Sequence, residues 1–129
     1  MITIQKEDVD IGKMINDAKQ RGTGAIVVFD GIVRDDDIRE MELEAYEEFA
    51  TKELERIATE AKKQFDLFSV DIIHRIGRLA VGENILIIIV GAGHRKEAYE
   101  GSRFIIENIK KGVPIWKKEL RRVGYFTGD

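Results

Sequence analysis

Apolar residues along this chain follow two rhythms that alternate from one segment to the next. Ile11, Met14, Ile15 and Ala18 recur at the i, i+3, i+4, i+7 spacing that lines up side chains on one face of a helix. Asp10 stands where an N-cap belongs, and Gly22 lies beyond the helix end. A second stripe runs through Ala50, Leu54, Ile57, Ala58, Ala61 and Phe65, and a third through Ala98, Ser102, Ile105, Ile106 and Ile109. Gly112 and the single proline, Pro114, close the third helix, because proline has no amide hydrogen with which to continue it. Between the helices the rhythm is that of strands. Ile2–Gln5 is a short one, and residues 24–33 (GAIVVFDGIV) form an apolar, β-branched run that predicts a buried strand. After a polar loop at 34–39, Met41, Leu43 and Ala45 alternate as a strand with one buried face. Residues 70–76 and 84–90 are strands joined by a turn around Val81-Gly82-Glu83, and a last short strand covers 115–120.

The predicted order is β-α-β-β-α-β-β-α-β. Its first six elements have a ferredoxin-like order, which points to an α+β fold with a mixed, largely antiparallel sheet. A chain of 129 residues is the size of one domain, so residues 1–129 are expected to form a single unit. Charged residues make up 35% of it, against about 25% in an ordinary globular chain, while 43% hydrophobic residues still supply a core. The formal net charge of −3 argues against a general nucleic-acid coat, which needs a basic excess to neutralise phosphates. No apolar run approaches the roughly 18 residues of a membrane span, and the N-terminus lacks the basic-then-apolar pattern of a secretory signal. A soluble, cytoplasmic protein is the expectation. The absence of cysteine removes disulfides, thiolate metal sites and cysteine nucleophiles together.

The near-neutral total hides an uneven distribution. Residues 35–66 carry twelve acidic and five basic side chains, whereas residues 94–122 carry nine basic and four acidic ones. A basic concavity on an acidic protein suits a small anion, and a solvated lysine-rich face would give the same counts. There is no phosphate-binding G-x-x-x-x-G-K-[ST] loop. Gly91-Ala92-Gly93-His94-Arg95 leads from a strand into a helix but lacks the third glycine of a dinucleotide fingerprint; it reads either as an anion site at a helix N-terminus or as a plain glycine turn. The two histidines, His74 and His94, with no cysteine argue against a protein-only metal site, although carboxylates could add ligands, and His74 sits inside an alternating strand where a structural role is expected. The densest signal is Lys110-Lys111-Gly112-Val113-Pro114-Ile115-Trp116-Lys117. There a helix end, a turn and a strand start can bring Lys110 and Lys117 toward one pocket. Cations held together lower one another's affinity for protons, and a lysine so placed can act as nucleophile or as acid and base. Lysines meeting a helix dipole or pointing to water are the bland alternative.

These segments, taken in order, resemble the catalytic (large) subunit family of molybdopterin synthase. The resemblance runs through Phe29-Asp30-Gly31-Ile32-Val33-Arg34, Leu43-Glu44-Ala45-Tyr46-Glu47, His74-Arg75-Ile76-Gly77-Arg78-Leu79, His94-Arg95 and Lys110 to Glu119. It implies an α/β hammerhead fold with an added antiparallel subdomain. It implies an enzyme that moves two sulfur atoms onto cyclic pyranopterin monophosphate to make the molybdopterin dithiolene. The sulfur donor would be the C-terminal Gly-Gly thiocarboxylate of a small ubiquitin-like carrier, and the assembly a homodimer core with a carrier at each end, a heterotetramer. No metal or other cofactor is implied. Lys110 and Lys117 match the catalytic lysine positions, Arg34, His94 and Arg95 match substrate-binding positions, and Phe29 lies beside the carrier-tail channel.

Two features depart from the family pattern. The loop after Arg34 (Asp35-Asp36-Asp37-Ile38-Arg39) is short and acidic, and the chain stops at Asp129, where many relatives continue and bring another basic residue; Arg121 or Arg122 could substitute, and the sequence assigns neither. Two rival classes make different demands. A non-catalytic α+β domain binding a phosphorylated metabolite would show no turnover. An RNA-binding module built on residues 110–122 would have only Trp116, Tyr125 and Phe126 for base stacking.

Overall fold

The structure is a computed structural model and describes residues 1–36 and 38–121. Its elements run β1 (Ile2–Gln5), α1 (Ile11–Asp17), β2 (Ala25–Ile32), β3 (Ile38–Ala45), α2 (Glu47–Phe65), β4 (Leu67–Arg75), β5 (Gly77–Ala80), β6 (Asn84–Ala92), α3 (Arg95–Gly112) and β7 (Ile115–Arg121). The α+β class is as expected, but the strands divide into two sheets. One has the order β1-β4-β6-β2 and the other β5-β3-β7. Among the described residues only β1 and β4 pair in parallel, and every other pair is antiparallel. The ferredoxin-like order of the first six elements therefore does not close one sheet, because β3 leaves it to pair with β5 and β7.

Period-two alternation sorts the large sheet's two faces. Ile72, Ile88 and Val90 pack beneath α2 and α3 against Leu54, Ile57, Ala61 and Ile105. Ile73, Ile87 and Ile89 face the other way, against Met14 and Ala18 of α1. Asp10 caps α1 by accepting from the Lys13 amide at 3.0 Å. The small sheet buries Ile38, Met41, Leu43 and Leu79 with Ile76 and Val33 in a core of its own, and Ile4 packs against both this core and the main one.

Two strand expectations need correction. Residues 24–33 do not form a buried strand: β2 is the sheet's edge, with Val28 37% and Ile32 50% exposed. An aliphatic run reports strand propensity and not the number of neighbours a strand will have. The stretch before Val81 is also not merely a lead into a turn. Gly77 takes φ +91°, a left-handed value that glycine adopts without a Cβ clash, and this corner swings Arg78 to Ala80 out of line with β4 and onto β3.

Arg75 ties these parts together from a buried position. Its guanidinium donates to the Lys6 carbonyl at 2.8 and 3.1 Å, to the Asn84 carbonyl at 3.2 Å and to Glu83 at 3.1 Å. Glu83 in turn accepts from the Ala80 amide at 2.7 Å. That amide bond first, and Arg75 second, hold the Glu83 carboxyl below its ordinary range. Arg75→Met keeps most of the volume but takes the donor from the Lys6 and Asn84 carbonyls, while Glu83, 42% exposed, keeps the Ala80 amide and meets water; the change should lower unfolding free energy by about 1–3 kcal/mol. Arg75→Lys should recover only part of this, since an ammonium cannot span the same fork. Denaturant titration of the three proteins checks both values.

Among the described residues no helix is long and apolar enough to cross a membrane.

Candidate active site

Pro114 decides where the site lies. It cannot extend α3 and it restricts Val113 to an extended conformation (ψ 126°), so the helix stops at Gly112 and the chain turns into β7. The end of the large sheet's helix-covered face is thereby left without a helix over it. There Gly31, Leu86 and His74 form one row across β2, β6 and β4, next to Phe29. The inner face of the small sheet closes the opposite side with Met41 and Leu43, and Lys117 stands beside Leu43 in register. The result is a cavity of about 590 Å³, completed by Ile32, Ile85, Ile109, Lys110, Val113, Ile115 and Trp116. Its size is that of a small-molecule or peptide-tail site.

Two of the anticipated residues meet here as cations: Lys110, in the last turn of α3, and Lys117, three residues past Pro114 on β7. Phe29 lines the same space. Apart from these lysines, His74 and the Trp116 indole, the lining side chains are apolar. Charge on a bound group would be weakly screened at such a surface, which strengthens its attraction to the two ammonium groups. Lys117 and Trp116 also border a smaller outer groove of about 290 Å³ with Glu42, Glu44 and Lys118.

His74 was expected to be structural, and half of it is. Its side chain is buried at 7% exposure and its Nδ1 lies 3.0 Å from the Arg75 carbonyl. A carbonyl only accepts, so Nδ1 carries the hydrogen. Burial lowers the imidazole's affinity for a second proton, opposed in part by that same bond, so the ring is held neutral. Yet His74 also lines the cavity, a role that its alternating strand pattern did not signal.

The remaining anticipated residues lie outside this cavity within one chain. Arg34 is an exposed side chain paired with Asp36 at 2.7 Å. His94 is the N-cap residue of α3, makes no capping bond through its side chain and is 4.0 Å from Glu97; Arg95 beside it is exposed. The glycines before them serve close packing. A Cβ on Gly91 would meet Ser69 Oγ at 2.6 Å, and one on Gly24 would strike the Gly93 carbonyl. Arg121 is exposed, 4.0 Å from Glu119, while Asp37, Arg122, Tyr125 and Phe126 lie outside the described residues. Among the described residues no three His, Asp or Glu side chains are grouped as a metal site would group them.

Comparison with known proteins settles the family. Residues 4–112 match the family described as MoaE protein. The chain belongs to the MoaE family. Relatives of this family carry the name molybdopterin synthase catalytic subunit. That of Pyrococcus abyssi is 44% identical over 124 residues, covering 93% of this chain and 84% of the relative. The fold agrees with MoaE structures. A crystal structure of molybdopterin synthase from Staphylococcus aureus superposes with a TM-score of 0.89 at 34% identity, over 94% of this chain and 91% of that one. A Helicobacter pylori complex of subunits 1 and 2 of molybdopterin-converting factor contains a chain matching with a TM-score of 0.80 at 26% identity, over 93% of this chain and 84% of that one.

Proposed function

We propose that this MoaE-family chain is the sulfur-transferring subunit of a molybdopterin synthase, with the cavity at the end of α3 as its reaction chamber. The observation that carries the reading is the convergence of Lys110 and Lys117 on an otherwise apolar cavity. The donor is the C-terminal thiocarboxylate of a small carrier subunit and the acceptor is cyclic pyranopterin monophosphate; both are anions. Lys110 holds the central role, polarising or covalently engaging the substrate as negative charge develops. Lys117 binds the thiocarboxylate and assists proton transfer. In each transfer the carrier sulfur bonds to a substrate carbon as a carbon–oxygen bond at that carbon breaks, the oxygen departing as water or as a phosphate oxygen with a proton supplied through the lysines where it is needed. Water then cleaves the acyl carbon–sulfur bond, so that the sulfur stays on the pterin and the carrier leaves as a carboxylate. Phe29 flanks the path of the tail. Arg34, His94 and Arg95 bind substrate from a second copy of the chain, in a homodimer with one carrier at each end. The protein acts in the cytoplasm.

The existence of a complex between the two kinds of subunit in a structural neighbour supports a carrier partner. Incubation of the chain with thiocarboxylated carrier and pyranopterin substrate, followed by detection of the dithiolene product, tests the whole reading. No product from properly thiocarboxylated carrier would reject it in favour of a non-catalytic binding domain.

The geometry makes a narrower prediction about the tail. A Gly-Gly segment has no side chains to obstruct a narrow path, and its terminal charge is drawn to the lysines. Removal of the carrier's last two residues should abolish turnover and weaken binding by about tenfold or more, as loss of a charge-assisted contact would. Titration calorimetry with the two carriers measures this. Equal affinities would show that the tail does not enter the cavity.

A further inference from the structure

A peptide tail entering the cavity brings backbone N–H groups as well as its terminal charge. Each such donor loses water at an apolar wall and is costly to bury unless an acceptor replaces the water. The cavity's other polar side chains cannot serve: the lysine ammonium groups and the Trp116 indole are donors only. His74 is different. Its Nδ1–H is committed to the Arg75 carbonyl, which leaves Nε2 as an unprotonated acceptor, and Nε2 has no partner among the described residues. Nor is that nitrogen sealed in the core. The fully buried polar side-chain atoms without a hydrogen-bond partner are Glu40 Oε1, Ser69 Oγ and Glu97 Oε1 among the described residues, and Nε2 is not one of them. Among the described residues, His74 is thus the one nitrogen or oxygen acceptor in the side chains that line the cavity. It shares a cross-strand row with Leu86 and Gly31, and the Phe29 ring lies over Gly31, 3.2 Å from where a Cβ would stand, so that this aromatic ring and the imidazole flank the same stretch of cavity.

We propose that His74 is a positioning residue for the carrier tail, its Nε2 accepting a hydrogen bond from a backbone N–H of the terminal Gly-Gly segment. This deepens the sulfur-transfer reading and rests on it. Holding the tail's last peptide by its N–H fixes the thiocarboxylate between Lys110 and Lys117. His74 takes no part in bond making.

Two substitutions separate this role from a structural one. An asparagine amide reaches about as far as Nδ1, so His74→Asn keeps the donor to Arg75 and removes the acceptor in the cavity. A glutamine amide reaches about as far as Nε2, so His74→Gln restores an acceptor there. For the full-length carrier, His74→Asn should weaken binding about tenfold and raise KM for the carrier by a similar factor with kcat little changed. His74→Gln should stay within about threefold of wild type, and neither variant should alter affinity for a carrier lacking its last two residues. A carrier with an ester in place of its last amide lacks the donor and needs no change in this chain. It should lose about the same tenfold with wild type and nothing further with His74→Asn. Rescue by asparagine and not glutamine, or unchanged affinity of wild type for the ester carrier, would overturn the proposal. If wild type bound full-length and shortened carriers alike, the tail-insertion reading itself would fall, and this inference with it.

Discussion

Lys110→Ala is expected to lower dithiolene formation by about 10²–10³-fold or more, the range seen when one preorganised group facing transition-state charge is removed. The expectation follows from position. Lys110 stands in the final turn of α3, its stem beside Ile109 and its ammonium at a cavity whose walls are mainly aliphatic. Among the described residues no carboxylate lines that cavity, so an anion bound there would become the counter-charge of Lys110 and Lys117. Alanine is an excellent helix former, and the replaced residue is exposed at the helix end, so the fold should survive. Loss of single-turnover product formation, with unchanged thermal unfolding and with carrier binding reduced far less than turnover, is the required pattern. Lys117→Ala should also be severely impaired, with a larger share of the loss in carrier affinity because it meets the thiocarboxylate. Near-normal turnover in Lys110→Ala would remove it from the central role and leave the cavity to tail binding alone.

How much of this was legible beforehand depended on whether the deciding physics was local. The three helices were, because their buried faces repeat every three to four residues and Asp10 and Pro114 mark their ends chemically. The convergence of Lys110 and Lys117 was also legible, since a helix end, a proline turn and a strand start confine the two lysines within eight residues. The division into two sheets was not. It depends on Gly77 turning the chain out of β4 and on β3 choosing β5 and β7 as partners, and neither is written in the pattern of β3 itself. The exposure of β2 was hidden for the same reason: Ala25 to Ile32 is aliphatic enough for a central strand, and only its lack of a neighbour beyond β6 makes it an edge. His74 shows a different limit. A buried strand residue and a cavity-lining residue have identical local sequence signatures, and what distinguishes them is that α3 stops before covering this one. The places of Arg34, His94 and Arg95 in the site came from resemblance alone, and one chain does not bring them to the lysines.

That separation leads to the other large expected effect. An Arg95→Ala chain and a Lys110→Ala chain, each nearly inactive alone, should regain activity when refolded together. Arg95 opens α3 and Lys110 lies fifteen residues further along the same helix. At about 1.5 Å rise per residue their backbones are roughly 22 Å apart. Neither Arg95 nor His94 lines the cavity, and both are exposed. Side chains pointing from opposite ends of a helix this long cannot close around one small pterin, so a site using all of them takes the lysines from one copy and His94 with Arg95 from its mate. A two-fold dimer provides that combination twice. In a mixed dimer one site then holds both native residues and the other holds both alanines. Random reassociation of equal amounts makes half the dimers mixed, so activity should return to about one quarter of wild type. Mixing without refolding should restore little until subunits exchange, and the recovery should follow the exchange rate. The rival arrangement keeps Arg95 within its own subunit, bracing the start of α3 or screening Glu97. Under it every mixed dimer contains two defective sites. Mixed dimers verified by mass yet as inactive as their parents would establish that arrangement and exclude the shared site.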